Sequence, residues 1–318
     1  MKLAGSAGVM GAPPPPDLSG GDYGDRLGDV GFWAPYVREV LRRHGHADGD
    51  LVAGFVGTYP TFLAGPVVVK LFGCFGTWRA DHDAELAVQQ LLRGHPNIPA
   101  PALVAHGQLY DGADPWPYLV TTRLAGSAWR DLRPSASTGT KLAGTVGEII
   151  RQVHDLRVPE AAGLQRDWLR DHRPGTAERH RAWGTLPEHL IDQIPDFLSA
   201  PSPHRRLVHA DLTEDHLFVD GGQLVGIIDW GDAFVTDPYY ELAALHFGAF
   251  EGDKRLLGSF LAGYGWPVDD AFCRRAMSVA LMHRFDVLTG VRDIARGREV
   301  ATLDDLAVLL WDVSANPG

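Results

Sequence analysis

Residues 209–233 read HADLTEDHLFVDGGQLVGIIDWGDA and gather His209, Asp211, Glu214, Asp215, His216, Asp220, Asp229 and Asp232 into one segment. Two apolar runs, HLFV and LVGII, lie between the charges and are joined by DGGQ, so the segment reads as a β-hairpin. A hairpin sets its two ends side by side. Asp211, His216 and Asp229 can therefore converge. Carboxylate oxygens held on rigid strands suit a hard cation such as Mg²⁺. An aspartate in the adjoining loop can orient or deprotonate a hydroxyl. Cation, hydroxyl and base together are the parts of phosphoryl transfer. His209, Asp211, His216 and Asp229 also suit Zn²⁺ or Fe²⁺ in a metal-dependent hydrolase. Taken singly, an aspartate here caps a turn and a histidine fills a core pocket.

A second group lies far upstream. Lys70 sits in VVVKLF with apolar neighbours on both sides. Burying an ammonium without an anion carries a heavy desolvation cost. Glu85, in DAELAVQQLL, can supply that anion. A strand lysine held by a helix glutamate is the arrangement that meets nucleotide phosphates. The alternative is a lysine that extends to solvent from an edge strand. The stretch GTYPTF between the first two strand-like runs could cover phosphates with its N–H groups, but it lacks a full glycine-rich pattern.

These residues need elements to hold them. Residues 32–44 have helical spacing and stop at Gly45. Runs 51–56 and 65–72 read as strands, with GTYPTFLAG between them as a turn. A helix follows over 81–94. Residues 101–110 and 116–124 read as two more strands around DGADP. The character changes near 122–127. Helical patterns then dominate at 136–154, 187–198, 239–250, 253–264, 268–290 and 302–312. The expected fold class is α+β in two lobes, β-rich over 23–122 and mainly helical over 123–318. Residues 1–22, rich in Gly and Pro, read as a flexible tail.

Composition narrows the partners. The chain has 318 residues, 45% of them hydrophobic and 22% charged, and a formal charge of -11. Such a surface repels nucleic acid and anionic lipid and favours a cationic substrate. Cys74 and Cys273 cannot build a disulfide framework. No apolar run approaches a membrane span, and MKLAGSAGVMGAPPPP lacks the apolar core of a signal peptide. A cytoplasmic monomer or homodimer is expected.

The motifs VVVKLF, DAELAVQQLL, WPYLVTTRLAG, IIRQVHDL, LVHADLTEDHLFVD and VGIIDWGDAFVTDPYYELA follow one another in that order. In this the chain resembles the aminoglycoside phosphotransferase family, which shares the protein-kinase-like fold. The resemblance covers nearly everything after the tail. FWAPYVREVL, PWPYLVTTRLAGSAWR, RAWGTLPEHLID and LHFGAFEGDKRLL are most similar to hygromycin B 7''-O-phosphotransferase-like enzymes.

The resemblance implies a use for each residue. Lys70 would contact the phosphates of ATP (or GTP) and Glu85 would hold it. Thr121, Thr122, Arg123 and Leu124 would form the hinge facing the adenine. Asp211 would orient the acceptor hydroxyl or take its proton, His209 would brace the loop, and Asp229 would hold Mg²⁺. Glu214, Asp215, Asp232 and Asp286, the last placed on a helix, are candidate contacts to a small cationic antibiotic. Asp237 looks like a structural cap. Two positions depart from the family pattern: Ala210 stands where Gly is usual, and His216 stands where a metal-binding Asn is usual. Ala210 is a mild change if its backbone angles are ordinary. His216 is a softer ligand than an amide oxygen. It keeps open a weakened or altered kinase and a nucleotide-binding pseudokinase, and because fold does not fix substrate a kinase of another cationic metabolite or peptide antibiotic stays open as well.

Overall fold

The computed structural model describes residues 16, 18, 20–47, 49–55, 57–132, 134–166, 168–289 and 300–314. They divide into two compact units, one within Met1–Leu86 and Pro101–Arg123, the other within Ala87–Ala100 and Leu124–Gly318. The expected tail, 1–22, falls largely outside the described residues, but its last three residues open helix α1 (Gly20–Arg26).

In the first unit, α2 (Val30–Arg43) starts where Asp29 accepts the Phe32 N–H at 2.9 Å. It ends at the C-cap His44, followed by Gly45 with a φ of 70°, a left-handed conformation that glycine adopts without strain. Five antiparallel strands follow: β1 (Leu51–Ala53), β2 (Thr61–Ala64), β3 (Val67–Leu71), β4 (Leu103–Gln108) and β5 (Pro117–Thr122), ordered β1-β2-β3-β5-β4. Trp33, Val37 and Val40 of α2 pack with Phe62, Val69, Leu71 and Val120 of the sheet. Helix α3 (Trp78–Leu92) follows β3.

The sheet corrects one expectation. GTYPTFLAG is not one turn, because Thr61–Ala64 forms β2 between β1 and β3. Phe62 and Ala64 alternate inward, the mark of a half-buried strand. The tight turn is Gly65–Pro66, with Gly65 at φ 58° and Ala64 paired to Val67.

Among the described residues of the second unit the α-helices are, in chain order, α4 (Trp129–Leu132), α5 (Ala136–His154), α6 (Trp168–His172), α7 (Thr176–Trp183), α8 (Glu188–Ile191), α9 (Ile194–Phe197), α10 (Tyr240–Ala244), α11 (Lys254–Tyr264), α12 (Phe272–Leu281) and α13 (Leu303–Trp311). A two-stranded sheet pairs β7 (Arg206–Val208) with β10 (Phe234–Thr236). A three-stranded one runs β6 (Ser127–Ala128), β8 (Leu217–Asp220), β9 (Gln223–Ile227). The expected turn DGGQ closes β8 on β9, with Gly221 and Gly222 at φ 53° and 78°.

Three helical runs break up. Residues 187–198 form α8 and α9, because Pro195, the second residue of α9, has no N–H to donate to the Ile191 carbonyl at the end of α8. Residues 239–250 form α10 followed by a π-helix, Leu245–Ala249. The 268–290 run is helical only over α12. The Leu281 carbonyl accepts from His180 Nε2 at 2.9 Å, and the Arg284 N–H donates to Tyr240 Oη at 3.1 Å, so side chains replace the helical ladder. Asp286, expected on that helix, therefore lies in a turn region.

Candidate active site

In the first unit, Lys70 Nζ donates to Glu85 Oε2 at 2.7 Å. The two side chains are only 12% and 7% exposed. Alternation along β3 sends Lys70 to the face opposite Val69 and Leu71. The ammonium also lies 5.2 Å from the Phe72 ring centre and 5.7 Å from that of Tyr59. Tyr59 and Thr77 each donate to Asp81 Oδ2 at 2.6 Å, which ties the loop before β2 to α3. The hinge expectation narrows. Thr122 and Arg123 donate their N–H groups to the carbonyls of Ala102 and Pro66, at 2.9 and 2.8 Å. Those two N–H groups are therefore not the ones offered to a base.

In the second unit the hairpin places the other residues. β7 delivers His209, which is fully buried. Its Nε2 donates to the Ile228 carbonyl at 2.8 Å, and its Nδ1 accepts the Asp211 N–H at 3.3 Å. A carbonyl only accepts, so this ring is neutral with its proton on Nε2. Burial pushes its pKa down, with His216 acting the same way. The ring thus ties the loop holding Asp211 to the segment entering Asp229.

Asp211 and Asp229 lie on either side of His216. His216 Nδ1 is 3.8 Å from Asp211 Oδ2, and its Nε2 is 3.9 Å from Asp229 Oδ2. Asp229 has a φ of 61°, a left-handed conformation that aspartate tolerates better than most residues. A 3-10 turn, Trp230–Asp232, follows it. Of the expected convergence of Asp211, His216 and Asp229, the structure shows His216 within 4 Å of each aspartate.

The sequence reading missed Glu241. Its carboxylate accepts the N–H of His209 at 2.7 Å and of Ala210 at 3.3 Å. Burial would raise its pKa, yet the side chains of His154 and His209 hold it below the usual glutamate value. His154 Nε2 lies 3.7 Å away. A lone acid inside the apolar run YYELAAL was the signal, since a buried glutamate must have donors. Ala210 is not ordinary in its angles: its φ is 71°. Asp237 does cap, accepting the Tyr239 N–H at 3.0 Å and the Ser202 N–H at 2.6 Å.

The four acids assigned to substrate all have protein partners. Glu214 and Asp215 form ion pairs with Arg130. Asp232 pairs with Arg284, and Asp286 accepts from Thr185 Oγ1. A cavity of about 820 Å³ adjoins the loop that follows Asp211, with Glu214, Trp129, Arg130, Phe250, Glu251 and Arg255 among its walls. Glu251 has a φ of 49°, and Gly248 of the π-helix fits so closely that an added Cβ would lie 3.2 Å from Thr213. Strained backbone and π-turns cluster at binding sites.

Among the described residues, no three His, Cys, Asp or Glu side chains converge as a metal-holding group. Asp229 and His216 offer two donors. That set fits a cation which takes its remaining ligands from phosphate oxygens and water, as Mg²⁺ does in nucleotide sites. It does not fit a closed structural zinc site, which needs four.

The phosphotransferase enzyme family profile matches residues 61–277. Among curated proteins, a lysine-specific demethylase of Arabidopsis thaliana, JMJ21, is 24% identical over an alignment of 246 positions that covers 61% of this chain and 25% of that protein. Hygromycin-B 4-O-kinase of Escherichia coli is 40% identical over 43 residues, 14% of this chain and 13% of the kinase. The chain thus spans a quarter or less of the curated relatives it matches. Among solved structures, the GDP complex of aminoglycoside 2'-phosphotransferase-IIIa superposes with a TM-score of 0.64 at 21% identity. That match covers 87% of this chain and 97% of the other, and it is a likeness of fold. With its profile matched across β2 to α12, this chain belongs to the phosphotransferase enzyme family, APH.

Proposed function

We propose that the protein transfers the γ-phosphoryl group of ATP (or GTP) to a hydroxyl of a small cationic molecule, an aminoglycoside of the hygromycin kind. The reading rests above all on one observation. A buried Lys70–Glu85 pair occurs in the same chain as Asp211 and Asp229, which a hairpin brings to either side of one imidazole. A metal-dependent hydrolase has the second group but no task for the first.

In this reading Lys70 meets the nucleotide phosphates, and Glu85 keeps its ammonium aimed. Thr121, Thr122, Arg123 and Leu124 border the base through their remaining backbone groups. Asp211 accepts the proton of the acceptor hydroxyl and turns its oxygen in line with the phosphorus. His209 and Glu241 hold the Asp211 backbone through the bonds described above. Asp229 and His216 hold a divalent cation, which when bound neutralises charge on the phosphates. Glu214, Asp215, Asp232 and Asp286 carry the acidic potential that draws an amine-bearing acceptor, and Glu214 lines the cavity beside the loop. The net charge of -11 acts in the same sense. Among the described residues no helix is long and apolar enough to cross a membrane. We place the activity in the cytoplasm, where it would confer resistance to the antibiotic.

The test is ADP release from ATP with Mg²⁺, across aminoglycosides including hygromycin B, cationic peptide antibiotics and choline. One aminoglycoside should stimulate release strongly. Asp211→Asn should lower that rate at least about 10³-fold while ATP still raises the melting temperature. Stimulation only by a peptide antibiotic or choline moves the acceptor class. ATP binding without release under any acceptor makes the protein a nucleotide-binding pseudokinase.

A further inference from the structure

We infer that His216 is itself a ligand of the divalent cation and that it turns the site away from Mg²⁺ toward Mn²⁺. This deepens the reading above, since it concerns the cation of the proposed nucleotide site.

The position of one proton on His216 fixes which ring nitrogen is free to bind a cation. His216 Nδ1 lies 2.5 Å from the Asp211 carbonyl and 3.3 Å from Thr213 Oγ1. The carbonyl can only accept, so Nδ1 carries the hydrogen. In the neutral ring Nε2 then bears a lone pair, and it is this nitrogen that faces Asp229 Oδ2 at 3.9 Å. That distance is too long for a hydrogen bond. It is within reach of a shared cation, because two bonds of about 2.1 Å can span it at a wide angle. Closing the pair to the right angle of an octahedral site takes a movement of about 1 Å.

The ring is held in this pose. Only 14% of the side chain is exposed, and it lies 5.6 Å from the His209 ring, itself anchored to Ile228. A metal-ligating histidine commonly donates its other ring N–H to a carbonyl, which fixes the tautomer and orients the ring. His216 already has that arrangement.

Ligand chemistry then decides the cation. Mg²⁺ takes oxygen ligands in near-ideal octahedral geometry and accepts imidazole poorly. Mn²⁺ accepts carboxylate, phosphate and water equally well, and as a first-row transition ion it also tolerates nitrogen. Relative to a site of oxygen ligands alone, one carboxylate and one imidazole, completed by phosphates, therefore favour Mn²⁺ over Mg²⁺.

The experiment uses the full chain with a non-hydrolysable ATP analogue. Mn²⁺ is titrated by its free-ion EPR signal and displaced with Mg²⁺. The wild-type ratio of Mg²⁺ to Mn²⁺ dissociation constants should exceed that of His216→Asn by about tenfold. Pulsed EPR of bound Mn²⁺ should show imidazole nitrogen modulation that His216→Asn loses. An unchanged ratio, or modulation that survives the substitution, overturns the inference. Should His216→Asn not fold, His216→Gln makes the same comparison. The nucleotide is titrated separately, and the apo protein is titrated with Mn²⁺ as well. Failure of the analogue to bind removes the kinase reading, while nitrogen modulation in the apo protein still decides the ligand.

Discussion

At the scale of single residues, the loop that carries Asp211 is held by groups that never need to touch a substrate. His209 ties it to Ile228 and Glu241 takes its first two N–H groups. The price of that geometry is visible at Ala210, buried with a φ of 71°. An alanine in the left-handed region costs about 1–2 kcal/mol, and a β-branched residue more. Glycine there would relieve the strain but give up a buried methyl worth about 0.8 kcal/mol. Ala210→Gly should therefore be close to neutral, and Ala210→Val should destabilise by more than about 2 kcal/mol. Urea denaturation of the two variants checks this, and equal stabilities would show that the backbone there is not under strain.

At the scale of elements, the second unit depends on a crossing of α5 with α11. A Cβ on Gly147 would lie 2.1 Å from the Phe260 carbonyl oxygen, and one on Gly263 would lie 2.1 Å from that of Gly144. Backbone meets backbone there, which only glycine allows. In an exposed helix, replacing Gly with Ala gains roughly 1 kcal/mol. At Gly147 the sign should reverse. Gly147→Ala is expected to cost about 2 kcal/mol through overpacking, whereas Gly24→Ala in α1, with nothing near the new methyl, should stabilise. Calorimetric melting of both variants reads the contrast, and a stabilised Gly147→Ala would mean the helices can separate at little cost. Side chains also decide where elements stop. α12 ends at Leu281 because His180, Tyr240 and His283 satisfy the backbone beyond it.

At the scale of the whole molecule, buried histidines set the response to acid. Burial lowers His246 to about 4 and His283 to about 3. In the unfolded chain both titrate near 6.5. Below that pH the unfolded chain takes up protons that the folded protein refuses. Their contribution to stability is therefore complete above pH 6.5 and is lost as pH falls toward the folded values, by up to about 1.4 kcal/mol per unit for each group. Glu241, held below its usual value, adds a loss in the same direction at lower pH. Asp237, raised by burial, works the other way, adding stability at low pH that fades as the pH rises. Melting temperature should fall clearly between pH 6.5 and 4.5. A flat profile over that range would show that the two rings are protonated in the fold.

What the sequence determined by itself was local in origin. Alternation in VVVKLF, the DGGQ turn and the 3.6-residue period over 136–154 are read from neighbours, and the folded chain keeps each of them. The pairing of Lys70 with Glu85 was likewise expected from residue type alone, since a strand lysine among apolar neighbours needs an anion, and the structure shows that bond. Tertiary structure alone decided the rest. Glu241 found its donors 32 and 31 residues away, and Arg130 reached acids 84 and 85 residues on. Thr61–Ala64 became a strand because two neighbours needed a partner between them. The tautomer of His216 follows from a carbonyl five residues back that only the folded loop turns toward it. Period and turn chemistry act over a few bonds, whereas the choice of a buried partner depends on which distant surfaces the packing brings together.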